Sequence, residues 1–375
     1  MKKIFITILA VAALAACTKS EVQYENPGEI GFTPATKNIT KAAKESGILS
    51  KSDKLGVWAL WNYTYSTNTV AGKTGEIYPA ADRSSNMYSH YTVEYLSNAL
   101  FGNRTVTDTW GGVADNGNSV SYPWPTNGAL VFAGYTIPAT GTVNASYTLN
   151  GATADETDDD VMTFTNYAQS DLPAKTYDLC WFGATSSSYD RTHSGSVPVT
   201  LSHALTWISF KIMGKNEQSL PVTASWKVTK LTLNSINTVG TGTCKGTTKT
   251  IVEGGNTTIT PASATWTSLS NQKPMVVFDG EQTITESAVT IEEEDEENGL
   301  VIIPQTPTSV TVTWSYPVGS TWKYETKEIP LTLSPENLWK AGVHYTYTIV
   351  FDGNEILLTP SYSGWDTKDN EVTIQ

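Results

Sequence analysis

The chain has 375 residues, of which 39% are apolar and 16% charged, and its 37 acidic and 24 basic residues give a formal net charge of −13. This surplus argues against a nucleic-acid partner, which needs basic patches, and 12 Trp, 18 Tyr and 9 Phe are more core material than a disordered chain carries. With only 4 His and 3 Cys, we expect no metal site, no cofactor and no enzymatic activity. Frequent Thr, Val, Tyr and Trp favour strands, so the composition predicts an all-β protein.

The first residues have the features of an export signal. Lys2 and Lys3 precede an apolar run over residues 4–13, which is too short to span a membrane. Leu-Ala-Ala then leads into Cys17, a sequence that resembles the bacterial lipobox, in which the Cys is diacylated. We therefore expect a signal peptide over residues 1–16 and a lipidated mature N-terminus. The next residue is Thr rather than Asp, which favours the outer membrane.

Residues 17–54 form a leader with a composition of its own. Apolar and polar side chains alternate over residues 29–33, which predicts a short strand with Ile30 and Phe32 on one face. A connector of Thr, Ser, Ala and Gly follows, and it contains Lys37, Lys41, Lys44, Lys51 and Lys54. Because exposed polar loops are preferred sites of proteolysis, this solvated connector is also a target for a trypsin-like protease.

From residue 55 onward, short strands separated by turn residues dominate. The clearest alternation runs over residues 310–316, and a second runs over residues 345–351. Strands at this spacing predict β-sandwiches rather than βαβ units. Residues 186–196 are polar and lack apolar periodicity, so we place a domain boundary there, between an N-terminal β-sandwich over 55–190 and a C-terminal one over 191–375.

Two local patterns interrupt the strands. Ser334 as N-cap, Pro335 at the first helical position and Gly342 beyond the end predict one short helix. The acidic run over residues 292–297 precedes Asn-Gly, a turn dipeptide, and therefore predicts a solvated hairpin tip between two strands.

Candidate catalytic residues are few. His203 and His344 lie in strand-like sequence, and we expect both to be structural. Cys180 and Cys244 are either a disulfide or two buried free thiols, and the sequence leaves both options open. No HExxH, paired CxxC or P-loop motif occurs, in agreement with a protein that is not an enzyme.

Aromatic residues offer a second type of site. Trp58, Trp61, Tyr63 and Tyr65 crowd one short stretch. At this spacing they form either one face of a sheet packed in a core or an exposed platform that stacks on sugars. The platform corresponds to the alternative function that we consider, a monomeric glycan-binding surface lipoprotein.

Several motifs taken in order resemble the fimbrillin family of Bacteroidetes, the Mfa-like and FimA-like pilus subunits. These motifs are the lipobox at Cys17, the strand pair over 197–210 with its His-Ala-Leu, the segment 231–240, the segment 301–305, and Trp339 to Gly342 followed by alternating aromatics and Trp365. Their order and spacing cover nearly the whole chain.

This resemblance implies a fold and a function. It implies two tandem transthyretin-like β-sandwich domains, export as an outer-membrane lipoprotein, and cleavage behind the first strand by a trypsin-like protease. The product is a structural subunit, stalk or tip, of a cell-surface pilus that mediates adhesion. Its partners are other pilin subunits and adhesion partners on host or bacterial cells. Loss of the first strand opens a groove that a strand from a neighbouring subunit fills.

The resemblance also assigns roles to residues of this chain. The self-strand contains Ile30 and Phe32. Cleavage follows one lysine of the connector, Lys37, Lys41, Lys44 or Lys51, with Lys41 preferred; well-known members of the family are cut after Arg, whereas this leader offers only Lys. The candidate donor strands lie near the C-terminus, and their apolar residues are Ile356, Leu358, Val372 and Ile374.

Overall fold

The structure is a computed structural model, and the part of the chain that it describes is a set of separate ranges. These are residues 29–36, 54–65, 89–103, 110–116, 118–124, 129–137, 143–148, 161–171, 177–183, 196–215, 225–245, 248–252, 256–260, 263–291, 300–332, 337–352, 355–364 and 372–373. The predicted signal peptide, Cys17, Lys37, Lys41, Lys44, Lys51 and Ile374 lie outside these ranges.

The described residues are all-β, and none of them is in an α-helix. The strands of the N-terminal part are β1 (Gly31–Thr36), β2 (Lys54–Tyr65), β3 (Ser89–Asn103), β4 (Trp110–Gly112), β5 (Ala129–Ile137), β6 (Ala145–Thr148), β7 (Val161–Ala168), β8 (Cys180–Phe182) and β9 (Val197–His203). The remaining strands are β10 (Thr206–Gly214), β11 (Lys227–Lys245), β12 (Thr248–Val252), β13 (Asn256–Thr260), β14 (Ser263–Thr283), β15 (Val289–Ile291), β16 (Leu300–Ile302), β17 (Ser309–Val318), β18 (Thr321–Pro330), β19 (Val343–Asp352), β20 (Glu355–Gly364) and β21 (Val372–Thr373).

Seven strands of the N-terminal part close into a barrel. Their order is β1-β4-β3-β2-β5-β8-β9, and β9 lies parallel to β1, which completes the ring. Successive side chains of a strand point to opposite faces, so Leu55 and Val57 of β2 fill the barrel, while Trp58 packs in a different cluster outside it.

Two six-stranded sheets form most of the rest. One has the order β15-β10-β19-β20-β21, with β16 also paired to β10. The other has the order β18-β17-β11-β7-β6, with β14 along β11, and β12 and β13 form a separate two-stranded ribbon. Apolar side chains from the two large sheets meet in one core, which includes Phe210, Leu231, Val312 and Tyr347.

The long strand β11 connects the two parts of the chain. Residues 227–234 of β11 pair with β17, and residues 239–245 pair with β7, which precedes the predicted boundary. A third buried cluster likewise joins Trp58 and Phe164 to Cys244 and Val301. The division at residue 190 stays a prediction, but strand pairing and a core both cross it.

Two local predictions differ from the structure. Residues 337–340 have no regular secondary structure and 341–342 form a turn, so the described part of the predicted helix is not helical; residues 333–336 lie outside the described ranges. The strands that flank the acidic run do not pair with each other as a hairpin would. Instead β15 and β16 both pair with β10, antiparallel, at successive positions along it. The strands β15 and β16 therefore lie end to end along β10 and are not the two arms of a hairpin.

Candidate functional site: the seat of the first strand

The first strand occupies a slot in the barrel wall. Phe32 of β1 pairs antiparallel with Trp110 of β4 and parallel with Val197 of β9. The same strand thus has one antiparallel and one parallel neighbour. A parallel neighbour distant in sequence cannot be a hairpin partner, so β1 is held in the barrel by a segment far from it in the chain.

The side chain of Phe32 fills the centre of the barrel. It is completely buried and contacts Phe101 and Phe132 edge-on, with ring centroids 4.7 and 5.1 Å away. Phe182 lies 6.5 Å away. Edge-to-face geometry is favourable for aromatic pairs and adds to the free energy of burial. The alternation over residues 29–33 predicted a strand in this place, and β1 (Gly31–Thr36) overlaps that range.

The entry to the slot is held by hydrogen bonds around Ile30. Its backbone N–H donates to the carbonyl oxygen of Tyr122 at 2.8 Å, and the indole Nε1 of Trp124 donates to the carbonyl oxygen of Glu29 at 3.1 Å. Ile30 itself is buried in the barrel core. The two predicted self-strand residues therefore both face the interior, two positions apart.

The strand β9 forms the second wall of the slot. Its side chains alternate between buried and more exposed positions, and Val197, Val199 and Leu201 are buried in the barrel. Residues 32–36 of β1 pair with residues 197–201 in register. The backbone ladder is therefore longer on the β9 side than on the β4 side, where only residues 31 and 32 pair.

The second half of β1 is held less firmly than the first. Among the described residues, Pro34 to Thr36 pair with β9 alone. Proline has no backbone N–H and tolerates only positions where that donor is not needed. The end of β1 that leads into the lysine-rich connector is thus the end with fewer partners.

Burial and hydrogen bonding set the strength of this seat. Burying Ile30 and Phe32 contributes about 1.5–3 kcal/mol each, and each backbone hydrogen bond adds about 0.5–1.5 kcal/mol net. This is a large part of the 5–15 kcal/mol that stabilises an ordinary domain. A barrel without β1 therefore loses a large part of its stability.

The predicted donor residues lie in two different settings. Ile356 and Leu358 belong to β20, which pairs along ten residues with β19, and Ile356 is buried in the core between the two sheets. Val372 belongs to β21, which pairs with β20 at two positions only. The donor role of any of these residues stays a prediction.

A second group of polar residues lies at one end of the barrel. The imidazole Nδ1 of His203 is 2.8 Å from Oδ2 of Asp178, and Sγ of Cys180 is 3.2 Å from the same oxygen. These side chains carry ligand atoms that all lie within 4.8 Å of one another. Sequence analysis missed this group because nothing in the pattern showed that residues 180 and 203 are partners across two strands.

The two later cysteines are free and buried, which settles the alternative left open by the sequence. Burial raises the pKa of the Cys180 thiol to about 12, with the charge of Asp178 as the second cause. Burial alone raises the pKa of Cys244. The two thiols lie in different clusters, Cys180 in the barrel and Cys244 in the cluster outside it.

Of the two alternatives for the aromatic stretch, packing in a core is the one found at Trp58. This indole is buried and packs against Tyr135 and Tyr147, with ring centroids 5.7 and 5.8 Å away. The side chains of Trp61, Tyr63 and Tyr65 lie outside the described residues. Exposed aromatic rings occur instead on the edge strand β18, at Trp322 and Tyr324.

Two sequence profiles of known families match this chain. The sequence profile of the family described as "Fimbrillin-like" matches residues 40–365. The profile of the prokaryotic membrane lipoprotein lipid attachment site matches residues 1–18, which include Cys17. No curated protein matches the chain. Among the described residues, no helical segment has the length and apolar character of a membrane span.

Solved structures similar to this chain include fimbrial and adhesion proteins. A fimbrial protein from Bacteroides vulgatus ATCC 8482 has 14% identity and a TM-score of 0.50, over 90% of this chain and 99% of that one. A putative cell adhesion protein from Bacteroides uniformis ATCC 8492 has 16% identity and a TM-score of 0.44, over 90% and 99%. The tip fimbrial protein Mfa3 from Porphyromonas gingivalis has 9% identity and a TM-score of 0.30, over 90% and 100%. With a family profile matched over most of its length, the chain belongs to the fimbrillin-like family.

Proposed function

We propose that this protein is a structural subunit, stalk or tip, of an adhesive cell-surface pilus that polymerises by strand exchange. One observation supports this above the others. The strand β1 completes the barrel, with Phe32 at its centre, yet it is joined to β2 only through residues 37–53. Membership of a fimbrillin-like family agrees with a structural rather than an enzymatic role.

The connector acts as a tether that blocks exchange. While residues 37–53 join β1 covalently to β2, β1 is present at an effective concentration of the order of millimolar, as is typical of segments joined by a short linker. A strand from another subunit at micromolar concentration cannot compete with it. Once the connector is cut, a departing β1 is diluted into solvent and a donor strand from a neighbour takes its place.

The preferred cleavage site is Lys41. Lys37 directly follows Thr36, which is paired with Leu201, and Lys51 lies close to the start of β2. Lys41 and Lys44 are the lysines farthest from both anchored ends, where a protease has the longest stretch of chain to bind. A trypsin-like enzyme is therefore the processing partner that we propose.

The donor is the C-terminal tail, residues 365–375, rather than β20. Removal of Ile356 would open the core between the two sheets, whereas β21 separates from β20 at the cost of two paired positions. Val372 and Ile374 are spaced by two residues, as are Ile30 and Phe32. Bound as an extended strand, the tail would place these two apolar side chains on one face, at the spacing of Ile30 and Phe32 in β1.

The lipid attachment site gives the precursor its location. Cys17, once diacylated, holds the subunit at the outer membrane, and polymerisation waits for cleavage at the cell surface. Two tandem transthyretin-like domains divided near residue 190 remain the domain arrangement that we propose. Adhesion partners on host or bacterial cells bind the assembled fibre.

Limited trypsin digestion of the purified chain tests this proposal. We expect cleavage in the connector, loss of the N-terminal fragment, and a ladder of SDS-resistant oligomers. The matched control carries Gln at positions 37, 41, 44 and 51, and it should stay monomeric under the same digestion. Cleaved chains that lose β1 and remain monomeric would overturn the proposal.

A second candidate function rests on the exposed aromatic rings of β18. Trp322 and Tyr324 are two residues apart and so project on one face, and Nζ of Lys227 lies 5.3 Å from the centroid of the Trp322 ring. Partly exposed aromatic rings near a charged group suit the stacking and hydrogen bonding that sugars need. A glycan array tests this role. Loss of binding in Trp322→Ala and Tyr324→Ala, with binding kept in Thr326→Ala, would support it. Equal binding by all three variants would exclude this surface.

A further inference from the structure

We propose that Asp178, Cys180 and His203 form a binding site for a single divalent transition-metal ion of the zinc type. The site lies at the end of the barrel where β8 and β9 pair. It is independent of strand exchange, and neither the family nor the lipid attachment site accounts for it.

Strand geometry brings the three side chains together. Cys180 and His203 are direct partners across the antiparallel pair β8–β9, so their side chains project on the same face. Asp178 precedes Cys180 by two residues, which places it on that face as well. The backbone N–H of Cys180 donates to Oγ1 of Thr136 at 2.8 Å and fixes this end of β8 to the neighbouring β5.

The separations between the ligand atoms match a tetrahedral ion. Zinc bonds of about 2.3 Å to sulfur and about 2.0–2.2 Å to nitrogen or oxygen place the ligand atoms about 3.4–3.6 Å apart. The observed separations are 3.6 Å between Sγ of Cys180 and Nδ1 of His203, 3.2 Å between Sγ and Oδ2 of Asp178, and 2.8 Å between Nδ1 and Oδ2. The shortest of these is a hydrogen bond that metal coordination would replace and lengthen.

The chemistry of the three ligands suits this class of ion. A thiolate, an imidazole and a carboxylate are the donors that zinc takes in proteins, and three protein ligands leave one position for water. A thiolate and a carboxylate together balance the double charge of the ion, with the imidazole neutral. A site without net charge is the kind that a buried environment tolerates.

A second observation also points to a ligand. The side chain of Asp178 is nine-tenths buried, and its Oδ1 atom has no hydrogen-bond partner among the described residues, while both donors converge on Oδ2. A buried carboxylate oxygen without a partner is costly. A metal ion between the three side chains would give the carboxylate a positive partner in place of two donors crowded on one oxygen.

The binding step balances as follows. The S–H bond of Cys180 breaks and a metal–sulfur bond forms, and the thiol proton leaves to solvent. The Nδ1 proton of His203, which now points to Asp178, also leaves to solvent, and Nε2 takes up a proton from solvent, so that the neutral imidazole binds the ion through Nδ1. Asp178 binds through its carboxylate, so that Oδ1 as well as Oδ2 lies near a positive charge, and the ion replaces the hydrogen bonds that now join Oδ2 to the thiol and the imidazole.

Cobalt substitution tests the site in the full chain. Cys17→Ser removes the lipidation thiol, so that Cys180 and Cys244 are the only cysteines. The protein is refolded with Co²⁺ because the site is buried. We expect one ion per chain, a sulfur-to-cobalt charge-transfer band, visible bands of four-coordinate cobalt, and loss of all bands when Zn²⁺ is added.

Cysteine variants supply a matched control. Cys180→Ser should remove the charge-transfer band, and Cys244→Ser should keep it, because Cys244 is equally buried but its raised pKa has burial as its only cause. Removal of an outer-shell partner already weakens metal binding by about 10–100-fold, so Asp178→Asn should weaken it at least that much.

X-ray absorption of the zinc-loaded Cys17→Ser protein identifies the atoms around the ion, and it needs no substitution of a ligand residue that could prevent folding. One sulfur and two or three nitrogen or oxygen neighbours are the expected shell. Absence of bound metal after refolding, a shell without sulfur, or a cobalt spectrum that Cys180→Ser leaves unchanged would overturn the site and identify the three residues as a metal-free hydrogen-bonded cluster.

Discussion

Phe32 contributes to the stability of the barrel and, in our proposal, also to assembly. Its ring is fully buried among three other phenylalanines, yet it sits on the strand that we propose is removed by proteolysis. A residue with this packing would normally belong to a permanent core. The same packing favours strand exchange in our proposal. Removal of β1 would expose the surrounding aromatic rings to water, and insertion of another strand would bury them again.

Truncation of this ring should therefore destabilise the uncut protein strongly. We expect Phe32→Ala to lower the free energy of unfolding by about 3–5 kcal/mol, the usual cost of removing a buried Phe. Urea unfolding measures the change. Tyr324→Ala is the matched aromatic control, because Tyr324 is 66% exposed, and it should shift stability by less than about 0.5 kcal/mol. Equal effects of the two substitutions would show that β1 does not hold the barrel together.

Buried tyrosine and cysteine side chains should make the protein sensitive to alkali. Burial raises the pKa values of Tyr347 and Cys244 above their ordinary values of about 10 and 8.5. The folded state thus favours their neutral forms. Their contribution to stability is complete below the ordinary pKa values and is lost as pH rises above them, because the unfolded chain ionises first.

The size of this loss can be stated for each group. Above pH of about 10, each of these groups lowers the free energy of unfolding by about 1.4 kcal/mol per pH unit. Urea unfolding between pH 8 and pH 11 measures how steeply the free energy of unfolding falls with pH. Tyr347→Phe should make this fall less steep by the contribution of one group, about 1.4 kcal/mol per pH unit. The same variant loses the hydrogen bond from Nε1 of Trp339, so its stability at pH 8 is also lower. An unchanged slope would contradict the burial argument.

At the scale of elements, local patterns identified strands well and their partners poorly. Alternation correctly indicated β1, β17 and β19, because each has one buried face. It could not show that β1 pairs with β4 and β9, since pairing between distant segments leaves no local pattern. The hairpin predicted around the acidic run failed for the same reason: the two flanking strands find their partner in β10.

The longest strands were also beyond prediction. In β11 and β14 the register shifts several times, and Ser235, Ser268 and Asn271 have positive φ at or near these shifts. Such bulges break the two-residue period on which strand prediction relies. They let two strands of about 20 residues twist across both parts of the molecule, where a local pattern indicates only short strands.

Removal of the C-terminal tail should separate assembly from folding. A chain that ends at Gly364 loses β21, which pairs at only two positions, and should keep its stability within about 1 kcal/mol. After trypsin cleavage it should form no oligomers, since it has no donor strand. Ile356→Ala is the contrasting variant: it should destabilise the fold by about 2–5 kcal/mol, because this residue is part of the core. Normal oligomers from the truncated chain would exclude the tail as donor.

At the scale of the whole molecule, the cluster that lies between the barrel and β11 determines how the parts depend on each other. Trp58, Tyr135 and Phe164 come from one side of the predicted boundary, and Leu205, Cys244 and Val301 come from the other. The boundary itself was inferred from a polar stretch, which shows where a chain is exposed but not which strands later pair across it. Composition and periodicity could therefore predict the class of the fold but not this shared core.

The shared core should make unfolding of the intact chain a single event. Separation of the two parts would expose the buried cluster and leave residues 239–245 of β11 without their partner β7. We expect one transition when tryptophan fluorescence and far-UV circular dichroism are followed in urea. A fragment of residues 191–375 should be aggregation-prone, because Leu205, Cys244 and Val301 would face solvent. Two resolved transitions, together with a soluble and folded fragment, would show instead that the parts are independent domains and that the pairing of β7 with β11 contributes little.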